Sequence, residues 1–195
     1  MSDNLLDESR FLLSEWRPER LPACSAEVAF VGRSNVGKSS LINAVCGKTL
    51  ARVSRDPGRT RSINVIQAGH DRWLVDLPGY GFAFGPKRHR DSWEAMVEGY
   101  LTGRESLRMI FALIDAEVGP TEFDMGMAEW LRSHGLPWRS VAVKADKVKS
   151  SRRQAQHRDA AQALGLKPEE MAWVSARSGL GISGLRAEVA AALKP

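Results

Sequence analysis

The chain has 195 residues, of which 43% are apolar and 26% charged, which suits one folded domain and excludes a disordered chain. Lys and Arg outnumber Asp and Glu by 28 to 23, a net charge of +5, compatible with either a solvated basic surface or an anionic partner. Cys24 and Cys46 are too few for a disulfide framework or a four-cysteine metal site, and the longest strongly apolar run, residues 109–114, falls far short of the about 20 that span a bilayer.

Acidic residues Asp3, Asp7 and Glu8 stand where a secretion signal is basic, so the expected compartment is the cytoplasm, with no membrane contact. Residues 1–22 have a mixed pattern broken by Pro18 and Pro22 and read as an N-terminal extension; 23–195 read as a single domain. A short apolar run at 27–31 predicts a buried strand, and 38–45 has helical apolar spacing that stops at Gly47. Residues 52–61 are polar and contain Pro57 and Gly58, which predicts a loop. Strands are expected at 62–67 and 73–76, a Gly- and Pro-rich loop at 78–90 and a helix at 91–101. Then follow a buried strand (109–115), a helix opened by Thr121 and Asp124 and running to Gly135, a strand (140–144) and a helix (152–164). A strand (172–175) and a helix (182–193) finish the chain. This alternation predicts an α/β fold of three layers, with a mostly parallel six-stranded sheet covered by helices on both faces. Ligands of such sheets bind at the carboxyl ends of the strands.

The strongest motif lies at one of those ends. Gly32, Arg33, Ser34, Asn35, Val36, Gly37, Lys38 and Ser39 satisfy G-x-x-x-x-G-K-[ST] between an expected strand and an expected helix. Glycines let successive N–H groups converge on phosphate oxygens, and the helix N-terminus adds its positive end. Lys38 can reach the β- and γ-phosphates, and the Ser39 hydroxyl can ligate Mg²⁺. Asp76, Leu77, Pro78 and Gly79 close a later strand; the carboxylate can hold Mg²⁺ through water and the Gly79 N–H can face the γ-phosphate.

A third strand ends in Lys144, Ala145 and Asp146. The Asp146 carboxylate would accept hydrogen bonds from the ring N–H and 2-amino group of guanine, with the Lys144 stem against the ring. Adenine lacks both donors and would leave that carboxylate unpaired. A backbone N–H at Ser175-Ala176 could meet the guanine oxygen. Taken alone, Lys144 and Asp146 could equally be a surface ion pair.

In this order the motifs resemble the translation-factor-related GTPases, and most closely the EngB (YihA/YsxC) family. The likeness rests on EVAFVGRSNVGKSSL (27–41), LARVSRDPGRT (50–60), VDLPGYGF (75–82), Asp115 and KADK (144–147). It implies GTP and GDP binding with Mg²⁺, slow GTP hydrolysis, a role in assembling the large ribosomal subunit and a linked role in cell division. It implies that Ser40 joins the phosphate loop and that Thr60 closes on Mg²⁺ and the γ-phosphate beside Gly58, Arg59, Arg61 and Ser62. Lys147 would complete the base motif, and Ala176 and Arg177 the last loop. Residues 52–62 and 80–90 would be the segments that move with the γ-phosphate. Related GTPases with Asn at the place of Asn35 bind K⁺ near the phosphates, which makes K⁺ a candidate ligand; the alternative is that Asn35 only caps a turn.

Three positions differ from the family or from GTPases at large, beside a Ser175-Ala176-Arg177 turn where the family more often begins Ser-Ser. Val143 occupies a position where the family has Thr or Asn, so the base loop loses a usual tie to the phosphate loop. Arg61 stands in place of a common Gln. Tyr80 follows Gly79 where many GTPases carry a water-orienting Gln, which predicts slow intrinsic turnover. Basic residues cluster near the expected site: Arg52, Arg55, Arg59 and Arg61; Lys87, Arg88 and Arg90; Lys147, Lys149, Arg152, Arg153 and Arg158. They are either solvated loops or a contact for ribosomal RNA phosphates. The expected state is a monomer. A nucleotide-responsive scaffold for cell-division proteins and an ATPase remain the alternatives.

Overall fold

The computed structural model describes residues 5–51, 62–80 and 87–194, without the side chains of 87–94. Its strands are β1 (Arg10–Glu15), β2 (Ala26–Gly32), β3 (Ile63–Ala68), β4 (Arg72–Asp76), β5 (Leu107–Asp115), β6 (Trp138–Val143) and β7 (Met171–Trp173). The helices are α1 (Lys38–Cys46), α2 (Lys87–Gly103), α3 (Glu122–Ser133), α4 (Ser150–Ala163) and α5 (Ile182–Ala192). One sheet of seven strands has the order β1-β3-β4-β2-β5-β6-β7. From β4 to β7 every pairing is parallel; β3 joins β4, and β1 joins β3, antiparallel.

Alternation along β2 builds the layers. Val28 and Phe30 enter a core shared with Leu41, Ile42 and Val45 of α1 and Leu185 and Val189 of α5. Ala29 and Val31 enter the opposite core with Val97, Tyr100 and Leu101 of α2 and Leu131 of α3. A third cluster joins Ala128 of α3 to Ala160 and Ala161 of α4. A central strand buried on both faces must be apolar throughout, and β2 has no exposed residue.

Its one charged side chain, Glu27, is fully buried at the amino end of the strand. There it accepts bonds from Tyr100 Oη at 2.9 Å, Arg104 Nε at 2.6 Å and Ser106 Oγ at 2.7 Å. The Arg104 guanidinium also lies over the Trp73 ring, 5.3 Å from its centroid. This knot fixes the carboxyl end of α2 to the sheet, on the side away from the phosphate loop.

Two expectations need correction. The sheet has seven strands rather than six, because 10–15, within the expected extension, form an edge strand. Both faces of β1 are largely exposed and its register shifts between Phe11 and Leu13, so no clean two-residue alternation marks it. The expected loop at 78–90 is shorter, since α2 begins at Lys87; the flanking glycines and prolines obscured a start built from helix-compatible Lys and Arg. Among the described residues, no helix is long and apolar enough to cross a membrane.

Candidate functional site

Parallel pairing brings the carboxyl ends of β2, β4, β5, β6 and β7 to one edge of the sheet, and the sequence motifs meet there. The loop from Gly32 to Gly37 turns directly into α1 at Lys38. Gly37 has φ 122°, a conformation that residues with a Cβ rarely adopt. Asn35 takes φ 61° without being glycine, a strained choice of the kind that collects at ligand sites.

Lys38 is 7% exposed, and its Nζ donates to the carbonyls of Gly32 at 3.0 Å and Arg33 at 3.3 Å. Burial pushes its ammonium pKa down, with the Asp76 charge opposing. Burial pushes the Asp76 carboxyl up, opposed by Lys38 and by a hydrogen bond from Ser39. Ser39 Oγ donates to Asp76 Oδ2 at 3.1 Å. The other carboxylate oxygen, Oδ1, is buried with no hydrogen-bond partner among the described residues. A buried cation with neutral partners and a buried carboxylate with an orphaned oxygen are costly, and both faults are repaired by ligands of opposite charge. The donor set of a serine hydroxyl and a carboxylate is oxygen-only and hard, which fits Mg²⁺.

The segment after Asp76 continues the β2–β4 pairing onto the phosphate loop. Leu77 N–H donates to Phe30 O at 3.2 Å, Tyr80 N–H to Gly32 O at 3.3 Å, and Ser34 N–H to Tyr80 O at 3.0 Å. A Cβ on Gly79 would lie 2.7 Å from Ser34 N and 2.8 Å from its Cα, so only glycine fits this approach. Leu77 and Pro78 are buried beneath it.

At the base site Lys144 takes a left-handed backbone, φ 61°. Its Nζ donates to Asp115 Oδ2 at 2.7 Å and to the Asn35 carbonyl at 3.0 Å. Lys144 therefore pairs with Asp115 and not with Asp146. Asp146 Oδ1 accepts from Ser175 Oγ at 2.5 Å, and the Ser178 N–H in turn donates to that oxygen of Ser175 at 3.1 Å. Ala145 is buried, its N–H donating to Val174 O at 3.0 Å. Lys147 is exposed and pairs with Glu117 at 3.0 Å. Ala176 and Arg177 are exposed on the turn after β7. Val143 is 4% exposed and sits beside Gly37, where an added Cβ would be 3.8 Å from its Cγ2. The tie from base loop to phosphate loop, expected to be missing with Val143, is made here by Lys144.

Two site residues escaped the sequence reading. In the sequence Asp115 is only a strand-end acid, yet it orients Lys144 and accepts the Glu117 N–H at 2.9 Å. Asp124 was assigned only to the start of α3, yet it also holds Tyr80 and faces Arg33. Gly58, Arg59, Thr60 and Arg61 lie outside the described residues, as do 81–86; Ser62 is half-buried at the start of β3, and Ser40 is half-buried in α1.

Burial alone would raise the Asp115 pKa, but the hydrogen bonds from Lys144 and the Glu117 and Val118 N–H groups, with the Lys144 charge, hold it below the ordinary carboxyl value. A depressed native pKa contributes stability above the unfolded value of about 3.9 that is lost as pH falls through the native one. Asp115→Asn is therefore expected to unfold at lower denaturant than the parent at pH 7, with the gap closing toward pH 3; a constant gap in urea titrations would contradict this.

Comparison with known proteins agrees with this geometry. Residues 27–144 match the model of the 50S ribosome-binding GTPase family. "Probable GTP-binding protein EngB" of Geobacter sulfurreducens is 43% identical over 188 residues, covering 95% of this chain and 91% of that protein. Its counterpart in Citrifermentans bemidjiense is 40% identical over 193 residues, covering 98% and 90%. A crystal structure of a probable GTP-binding protein EngB superposes with a TM-score of 0.71 at 25% identity, over 86% of this chain and 98% of that one. With a phosphate loop, a D-x-x-G segment and a K-x-D base loop on one sheet edge, and with relatives this similar over nearly its whole length, the chain belongs to the EngB family of GTPases.

Proposed function

We propose that this GTPase binds GTP and GDP at the sheet edge with Mg²⁺, and that its nucleotide state controls docking on the large ribosomal subunit through ribosomal RNA, with a linked role in cell division. The observation that carries the site reading is the Lys144 bridge, which joins the base loop to the phosphate loop through Asn35 and leaves Asp146 oriented by Ser175.

In this reading the amides of Gly32–Ser40 hold the phosphates and Lys38 neutralises the β- and γ-phosphate oxygens. Ser39 and Asp76 would hold Mg²⁺, Asp76 through water, with Thr60 joining when GTP is bound. Bound there, Mg²⁺ would offset charge on the transferring phosphoryl group. Gly79 offers its N–H to the γ-phosphate. Gly58, Arg59, Arg61 and Ser62 belong to the segment around Thr60. Asp146 selects guanine, Lys144 packs its stem on the ring, Ala145 and Lys147 shape the loop, and the Ser175-Ala176-Arg177 turn meets the guanine oxygen. Tyr80 has no amide to orient water, and its hydroxyl donates to Asp124 at 2.9 Å. Turnover is therefore slow until a partner or a cation supplies what is absent. The family description supports the ribosomal partner. So does the exposed basic surface of Lys147, Lys149, Arg152 and Arg158 beside the base loop, whose attraction to RNA phosphates would be weakened by salt.

Large ribosomal subunits are expected to co-sediment the protein with a GTP analogue more than with GDP, and less as salt rises. Equal absence of binding with both nucleotides would remove the ribosomal reading. Asp146→Asn is expected to lose GTP by at least tenfold and to gain xanthine nucleotides, measured by competition with a labelled guanine nucleotide; unchanged preference would reassign the base site. K⁺ beside Asn35 is expected to raise hydrolysis over Na⁺, and equal rates would remove that ligand.

A further inference from the structure

Asp124 lies in the first turn of α3, and none of the nucleotide contacts above is assigned to it. Its side chain is fully buried. Three hydrogen bonds and an ion pair converge on it: Tyr80 Oη donates to Oδ1 at 2.9 Å, the Thr121 N–H and hydroxyl donate to Oδ2 at 2.9 and 2.7 Å, and Arg33 Nε lies 3.3 Å from Oδ2 as a charge contact with no hydrogen bond among the described residues. A helix-capping carboxylate needs only its own first turn. This one also engages the residue after Gly79 and a side chain of the phosphate loop. Burial, with the Asp124 charge and hydrogen bond, holds the Tyr80 phenol well above its ordinary pKa, so it stays a hydrogen-bond donor.

Tyr80 is thus pinned at three points. Its hydroxyl is held by Asp124, its N–H by Gly32 O, and its carbonyl by the Ser34 N–H. The pinned residue adjoins Gly79, which is seated against Ser34 with no room for a side chain. The segment expected to start moving at Tyr80 is therefore fixed there by its side chain. Chain that is already ordered needs no ordering when a ligand arrives, and this saving raises affinity only for the ligand that uses the ordered part. In the proposed site GDP would contact the phosphate loop and the base loop, and only a γ-phosphate would reach Gly79.

Resting on the assignment of Gly79 to the γ-phosphate, we propose that Asp124 is a positioning residue that holds Tyr80 beside Arg33, keeping Gly79 in place for the γ-phosphate and so raising the affinity for GTP relative to that for GDP. The lock reaches the nucleotide only through Tyr80 and the phosphate loop. It also makes the first turn of α3 part of the same assembly, so that a shift of α3 alters γ-phosphate binding.

The test measures affinity for GDP and for a non-hydrolysable GTP analogue, with Mg²⁺, in the full chain and in Asp124→Asn and Tyr80→Phe. Tyr80→Phe removes one hydroxyl and keeps the ring, so it decides the matter if Asp124→Asn fails to fold. The expected result is about tenfold weaker analogue binding in each variant, with GDP affinity within twofold of the parent. An analogue-to-GDP ratio that is unchanged in Tyr80→Phe overturns the lock, whether both affinities fall together or neither moves, and so does a ratio shifted toward the analogue. A parent chain that fails to bind GDP would instead overturn the nucleotide site itself.

Discussion

Burying the Lys38 ammonium against two carbonyl oxygens costs free energy that neutral acceptors only partly return. Asp76, buried beside Ser39 with one orphaned oxygen, has the complementary fault. Neither charge can leave, because each is carried at a junction of buried backbone: Lys38 opens α1, and Asp76 ends β4 one strand away from β2. The rest of the molecule holds these two charges together without letting them cancel. The apolar cores on both faces of β2 fix the relative position of the two strand ends, and the Gly79 approach to Ser34 closes one side of the space between them. A site held this way suits a polyanion and a hard cation, and its charges are better explained by binding than by stability.

Around that pair, geometry depends on long-range partners. Lys144 reaches two elements at once, Asp115 at the end of β5 and Asn35 in the phosphate loop, and its left-handed backbone makes the reach possible. Val143 contributes by being small and apolar beside Gly37.

The phosphate loop, the D-x-x-G segment and the base loop were legible in the sequence because each is a local pattern whose chemistry depends on neighbours in the chain. The parallel core was legible because β2, β4 and β6 are short apolar runs ending at those motifs. What stayed hidden was pairing across the sequence. Nothing near Asp115 says that its partner is Lys144, and Asp124 already had a sufficient local explanation as a helix cap for Thr121, which concealed its contacts with Tyr80 and Arg33. The edge strand β1 was obscured for a related reason: a strand exposed on both faces and bulged between Phe11 and Leu13 has no core to impose alternation on it.

The knot at Glu27 has a mechanical consequence. Helix α2 is 17 residues long, about 25 Å at the usual rise per residue, and its two ends are held very differently. Tyr100 and Arg104 bind its far end to a buried carboxylate at the base of the central strand, while its near end begins seven residues after Tyr80. A displacement arriving at the near end cannot push the rod lengthwise, because the Glu27 anchor resists sliding. Val97, Tyr100 and Leu101 hold the same half of the helix in the core, so the Glu27 end of the rod stays in register with β2.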